Sequence, residues 1–87
     1  MKKVVIKEIN NYDYLLIDNN HEYLLNIEFY SKYQPQKNDI IYIPDNILYE
    51  KNLYAFDEIY DTQNIDIDDI IKIVHGNDEY YFQRKYG

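Results

Sequence analysis

The stretch Glu22-Tyr23-Leu24-Leu25-Asn26-Ile27-Glu28-Phe29-Tyr30 sets the fold class. Tyr23, Leu25, Ile27 and Phe29 fall on one side of an extended chain, and Leu24, Asn26, Glu28 and Tyr30 on the other. Apolar residues at every second position mark a half-buried strand, because successive side chains of an extended backbone point to opposite faces. The same period recurs on either side of this stretch. Val4 and Ile6 alternate with Lys3 and Lys7, while Tyr80, Phe82 and Tyr86 oppose Tyr81, Gln83 and Lys85. Tyr54, Phe56 and Tyr60 share one side of a further strand. Residues 39–43 read as a short buried strand stopped by Pro44, which cannot donate to a ladder.

The turns between these runs are built with little glycine. Gly76 and Gly87 are the only two, so asparagine must occupy most positions of positive φ. Asn10-Asn11 and Asn19-Asn20 each separate two apolar runs, and His75-Gly76-Asn77-Asp78 is the strongest hairpin signal. Strands are predicted near 3–9, 12–18, 22–30, 39–44, 53–60, 69–75 and 79–86. Asp45-Asn46-Ile47-Leu48-Tyr49-Glu50-Lys51 fits one helical turn capped by Asp45 or Asn46. The run from Asp66 to Val74 can be read as helix. The β-branched Ile65, just before it, and Ile67, Ile70, Ile71, Ile73 and Val74 within it favour strand. The expectation is a single all-β domain over residues 1–87. It is an OB-like or SH3-like partly open barrel of six to seven short antiparallel strands, with at most one short helical turn.

Composition narrows what such a domain can do. Eighty-seven residues leave no core for a second domain. The net charge of -7 works against loose binding to nucleic acid or anionic membrane, both of which need clustered Lys and Arg. With no cysteine, disulfides and thiolate chemistry are excluded, in keeping with a cytoplasmic protein. The apolar run at Val4-Val5-Ile6 stops at Lys7 and Glu8, too soon for a signal peptide. The longest apolar runs, such as Ile40-Ile41-Tyr42-Ile43, are far short of a membrane span of about 20 residues. Twelve tyrosines stand out, but Ile, Asn, Lys and Asp are abundant too, and all have AT-rich codons.

Candidate chemistry is sparse. Asp57, Glu58, Asp61, Asp66, Asp68 and Asp69 form an acidic strip without Lys or Arg. Read as an EF-hand from Asn64, it places Asp69 where glycine is needed and His75 where the bidentate Glu belongs, so no metal is expected. His21 and His75 lie in or beside turns without zinc-like spacing, His75 near Asp78 and Glu79. Ser31 and Thr62 are the only hydroxyl nucleophiles of their types, and no glycine-rich phosphate loop exists. Enzymatic activity and cofactors are therefore not expected. A basic group is the counterweight: Lys2, Lys3 and Lys7 near one end, Arg84 and Lys85 near the other. Pairing of the first and last strands would close a barrel and unite them. Tyr81, Gln83 and Lys85 would then form an outward aromatic and basic strip of the sort that holds single strands.

Three stretches carry a resemblance: residues 22–30, then Gln34-Pro35-Gln36-Lys37-Asn38-Asp39-Ile40-Ile41-Tyr42-Ile43, and the ending 80–87. Together they resemble small acidic all-β proteins of unknown function from low-GC Gram-positive bacteria. The middle stretch is similar to the OB-fold segment in which a Lys-x-Gly-Asp loop launches a strand. Here Asn38 stands for the glycine, and asparagine can hold the same backbone. The resemblance brings no catalytic residues.

These readings give a non-enzymatic binding module whose partner is a protein. Its anchors are the tyrosines assigned outward or to loops, Tyr30, Tyr33, Tyr42 and Tyr81, with Gln83 and Lys85. One alternative is an acidic inhibitor, immunity-type or DNA-mimicking, that uses the acidic strip against a basic partner. Another is an OB-like binder of single-stranded oligonucleotides.

Overall fold

The structure, a computed structural model, describes residues 1–29, 31–59 and 70–83. Among these, seven antiparallel strands form one sheet: β1 Lys2–Asn10, β2 Asp13–Asp18, β3 His21–Asn26, β4 Ile40–Ile43, β5 Tyr49–Glu50, β6 Ile70–His75 and β7 Asp78–Gln83. The order across the sheet is β5-β3-β2-β1-β4-β6-β7, so the described sheet is open, with β5 and β7 at its edges. Among the described residues helix is limited to two isolated 3-10 turns, Asp45–Ile47 and Phe56–Glu58.

The sheet is rolled. Five steps of about 4.8 Å separate β3 from β7, roughly 24 Å if the sheet were flat. Yet Phe29, just past β3, meets Phe82 of β7 with ring centroids 5.0 Å apart, and Tyr14 of β2 meets the edge of Phe29 at 5.6 Å. One face is thus wrapped around a core of Val4, Ile6, Leu16, Leu25, Ile41, Ile43, Ile47 and Ile73, each fully buried. The alternation in residues 23–29 is realised as expected, with Tyr23, Leu25, Ile27 and Phe29 all in this core.

Turn chemistry also follows the sequence. Each two-residue hairpin has positive φ at its first turn residue: Asn11 at 56°, Asn19 at 52° and Gly76 at 61°. Asn38, before β4, has φ 76° and holds the backbone that glycine would. At Gly76 the sign pattern is that of a type II′ turn, whose twist matches the strands it joins.

One expected strand is replaced by turns. Residues 53–59 are not a strand: Leu53 and Tyr54 both donate their N–H to the Glu50 carbonyl, which turns the chain and leaves β5 only two residues long. Nor do the first and last strands meet. β1 lies mid-sheet between β2 and β4, and among the described residues β7 pairs with β6 alone. The helical turn at Asp45–Ile47 forms, with Pro44 as its N-cap and no side-chain capping bond from Asp45 or Asn46. β1 carries a bulge between Ile6 and Glu8, where the register against β2 shifts at Lys7. No helix among the described residues is long and apolar enough to cross a membrane.

Candidate functional site: an outward ladder and a buried carboxylate

The face turned away from the core has its own order. Cross-strand registers place Glu22, Ile17, Val5, Ile40, Val74 and Glu79 in one continuous row over β3, β2, β1, β4, β6 and β7. The four central side chains are aliphatic and half-buried, and neither core cluster includes them. The carboxylates at the row's ends are paired. Glu22 meets Lys7 at 3.5 Å and Lys51 at 3.6 Å, and Glu79 meets Lys72 at 3.5 Å. The adjacent row, Lys3–Tyr42–Lys72–Tyr81, alternates basic and aromatic residues over β1, β4, β6 and β7. The Lys72 ammonium lies 4.6 Å from the centre of the Tyr42 ring. Tyr81 is 64% exposed. Its hydroxyl donates to Glu79 at 2.9 Å, which holds the phenol above its usual pKa.

Of the tyrosines expected to be anchors, Tyr42 and Tyr81 therefore share a face. Tyr33 does not. It is half-buried, packs against the main core and stacks on Tyr80 with centroids 3.8 Å apart. Tyr30 and Lys85 lie outside the described residues, as does the side chain of Gln83, whose backbone pairs with Ile70 at the end of β7. In the acidic strip, Asp57 and Glu58 are exposed on the second 3-10 turn, where Glu58 accepts the Ala55 N–H at 3.0 Å. Asp61, Asp66, Asp68 and Asp69 lie outside the described residues. The terminal lysines are met locally, Lys2 by Asp18 at 3.8 Å and by the Tyr23 ring, Lys7 by Glu22. Among the described residues no group of three or more His, Asp or Glu is placed to hold a metal ion.

The second feature was not read from the sequence. Asp39 is 2% exposed, the one buried charged residue among those described. Its Oδ1 meets His75 Nδ1 at 2.6 Å, and its Oδ2 accepts from the Gln36 N–H at 2.9 Å and from the Tyr33 hydroxyl. Its own N–H donates to the Gln36 carbonyl at 3.1 Å, and its carbonyl accepts from Ile6 at 2.9 Å. Three donors satisfy the buried carboxylate, as burial of a charge requires. His75 is exposed, at 46%, yet its ring is tied to Asp39 rather than to neighbouring Asp78 or Glu79. Burial, and then the bond to Asp39, push the Tyr33 phenol well above its usual pKa. His21 instead lines a polar recess of about 300 Å³ with Asn20, Glu22, Glu50, Lys51 and Asn52.

One signal for the aliphatic row was present. Ile40–Ile43 and Ile70–Val74 are apolar on both faces, which marks a strand with something to bury outward as well as inward. Asp39 and His75, 36 residues apart, left no such mark. The chain matches no family model, no curated protein and no solved structure.

Proposed function

We propose that this chain is a non-enzymatic binding module that docks a protein partner on the outward face of β1, β4, β6 and β7. The observation that carries this reading is the aliphatic row Ile17–Val5–Ile40–Val74, bordered by Tyr42 and Tyr81 and rimmed by Lys3, Lys72 and Glu79. An apolar centre within a polar rim is how protein interfaces are built, and tyrosine supplies large contact area with a polar tip. Strands hold these side chains at fixed spacing, so little ordering entropy remains to be lost on binding.

Affinity capture from the host lysate tests this with the wild-type chain beside the Val74→Lys and Tyr42→Ala variants. The reading predicts one partner retained at high salt and lost by both variants. A partner kept equally by wild type and variants would end it. The lysine–tyrosine alternation gives a second reading, an oligonucleotide binder. It is disfavoured by the net charge of -7 and by the lysine already seated on the Tyr42 ring. Quenching of tyrosine emission by single-stranded DNA at low salt would move the balance to it. The acidic-inhibitor reading would be favoured by a partner released on raising salt and unaffected by Tyr42→Ala.

A further inference from the structure

Cysteine and tryptophan, the side chains most readily oxidised by one electron, are absent from this chain, which leaves tyrosine to meet an oxidant. A phenol that loses an electron becomes a strong acid and must shed its proton at once. The described tyrosines differ in where that proton can go. Tyr12 and Tyr81 donate to Glu28 at 3.3 Å and Glu79 at 2.9 Å, on the surface, where water competes for both partners. Tyr33 donates to Asp39, whose carboxylate is buried. At rest Tyr33 keeps its proton, because burial, and then the bond to Asp39, raise its pKa. Once the ring is oxidised, transfer of that proton leaves a carboxylic acid beside a neutral radical. The pair then carries no buried charge, where the resting pair carried one. The Tyr33 ring also lies flat on Tyr80, with centroids 3.8 Å apart and planes 3° from parallel. Overlap of this kind spreads an electron hole over two rings. Both rings are half-buried, which shields a radical here from coupling to a second chain.

We propose that Tyr33 is a one-electron redox site that quenches oxygen-centred radicals of the peroxyl class, with Asp39 as its proton acceptor and Tyr80 as its stacked partner. The electron passes from the Tyr33 ring to the peroxyl radical, which takes a proton from solvent and leaves as a hydroperoxide. The Tyr33 O–H bond breaks, and an O–H bond forms on Asp39 Oδ2, while Oδ1 keeps its bond to His75 Nδ1. A one-electron reductant of the ascorbate class later returns the electron, Asp39 returns the proton, and the phenol is restored. The site lies between the loop before β4 and the β6–β7 hairpin, so it stands whether or not the outward face binds a protein.

Electron paramagnetic resonance of the full chain, frozen during exposure to peroxyl radicals from a decomposing azo compound, tests this. Nitric oxide trapping followed by peptide mapping locates the radical. The expected result is a tyrosyl signal whose trapped adduct maps mainly to Tyr33. Tyr33→Phe should lose that signal, and Tyr12→Phe should keep it. Asp39→Asn, which cannot take the proton, should lose it too, whereas a carboxylate that only holds the loop in place would not affect it. Adducts distributed by exposure, with Tyr81 and Tyr12 foremost, overturn the proposal. So does a folded Tyr33→Phe or Asp39→Asn variant with an undiminished signal. Should either variant fail to fold, the trapping pattern of the wild-type chain decides.

Discussion

The outward face of the sheet is secured in two different ways on its two halves. Over β2 and β3, Leu15 and Leu24 are buried by Ile59 and Tyr49, so these two side chains act as an apolar strap. Over β1, β4 and β6, the aliphatic row is only half-buried, and order comes from one end. There Asp39 ties Tyr33 and Gln36 of the preceding loop to His75 at the end of β6. The strap depends on removing apolar area from water and is indifferent to geometry in detail. The carboxylate knot depends on three aligned donors, and losing any of them leaves a polar group unsatisfied. Among the described residues, one half of the face is thus held from above and the other from its end.

The sharpest way to break this comparison is Asp39→Ala. It strands the Tyr33 hydroxyl, the Gln36 N–H and His75 together, and should cost about 3–5 kcal/mol in urea unfolding. A cost below about 1 kcal/mol would mean the knot holds nothing. Next is Leu24→Ala under the strap, expected to cost about 2–4 kcal/mol, against less than about 1 kcal/mol for Val74→Ala on the open half. Equal costs would show that the open half is covered after all.

Tyr33→Phe should cost about 1.5–3 kcal/mol at neutral pH, the value of a hydrogen bond to a carboxylate. Its pH dependence has a definite sign. The folded-state pKa of Tyr33 is raised, chiefly by burial, so its contribution is fully present below the ordinary tyrosine pKa of about 10 and is lost as pH rises above that. The gap between wild type and variant should therefore narrow in alkali, as read by denaturant melts from neutral to alkaline pH. Tyr14, also raised by burial, is common to both proteins and cancels in the difference. A gap that widens would contradict the assignment. The smallest effect is Tyr81→Ala, within about 0.5 kcal/mol in thermal melts, because its ring is exposed and its hydroxyl bonds to the exposed Glu79.

How much of this was legible depended on whether the determinant was local. The period-two pattern of residues 23–29 and the asparagines at turns act within a few residues, and both were realised. The strand expected near 53–60 failed because its alternation competes with the Glu50 carbonyl, which captures two N–H groups and turns the chain. The place of β1 mid-sheet depends on pairing with β4, whose residues lie 35 to 41 positions further on, which no local pattern records. For the site, alternation correctly sent Tyr42 and Tyr81 outward. It misplaced Tyr33 because a loop residue has no alternation to obey. The aliphatic row was missed because Val and Ile on both faces of a strand look the same whether the outer face is covered, open or shared.

The central place of β1 also bears on the order in which the protein is made. β1, β2 and β3 form a meander joined by two-residue turns, so it can pair while the rest of the chain is still being synthesised. The far edge of β1 must then wait for β4, and β4 in turn for β6. Until it arrives, Val4 and Ile6 have partners on one side only, beside an unpaired strand edge. Such an intermediate is exposed to aggregation, and the long-range closure that ends it makes for slow folding. Lys2, Lys3 and Lys7 sit on that waiting strand, where their like charges would keep nascent chains from joining edge to edge.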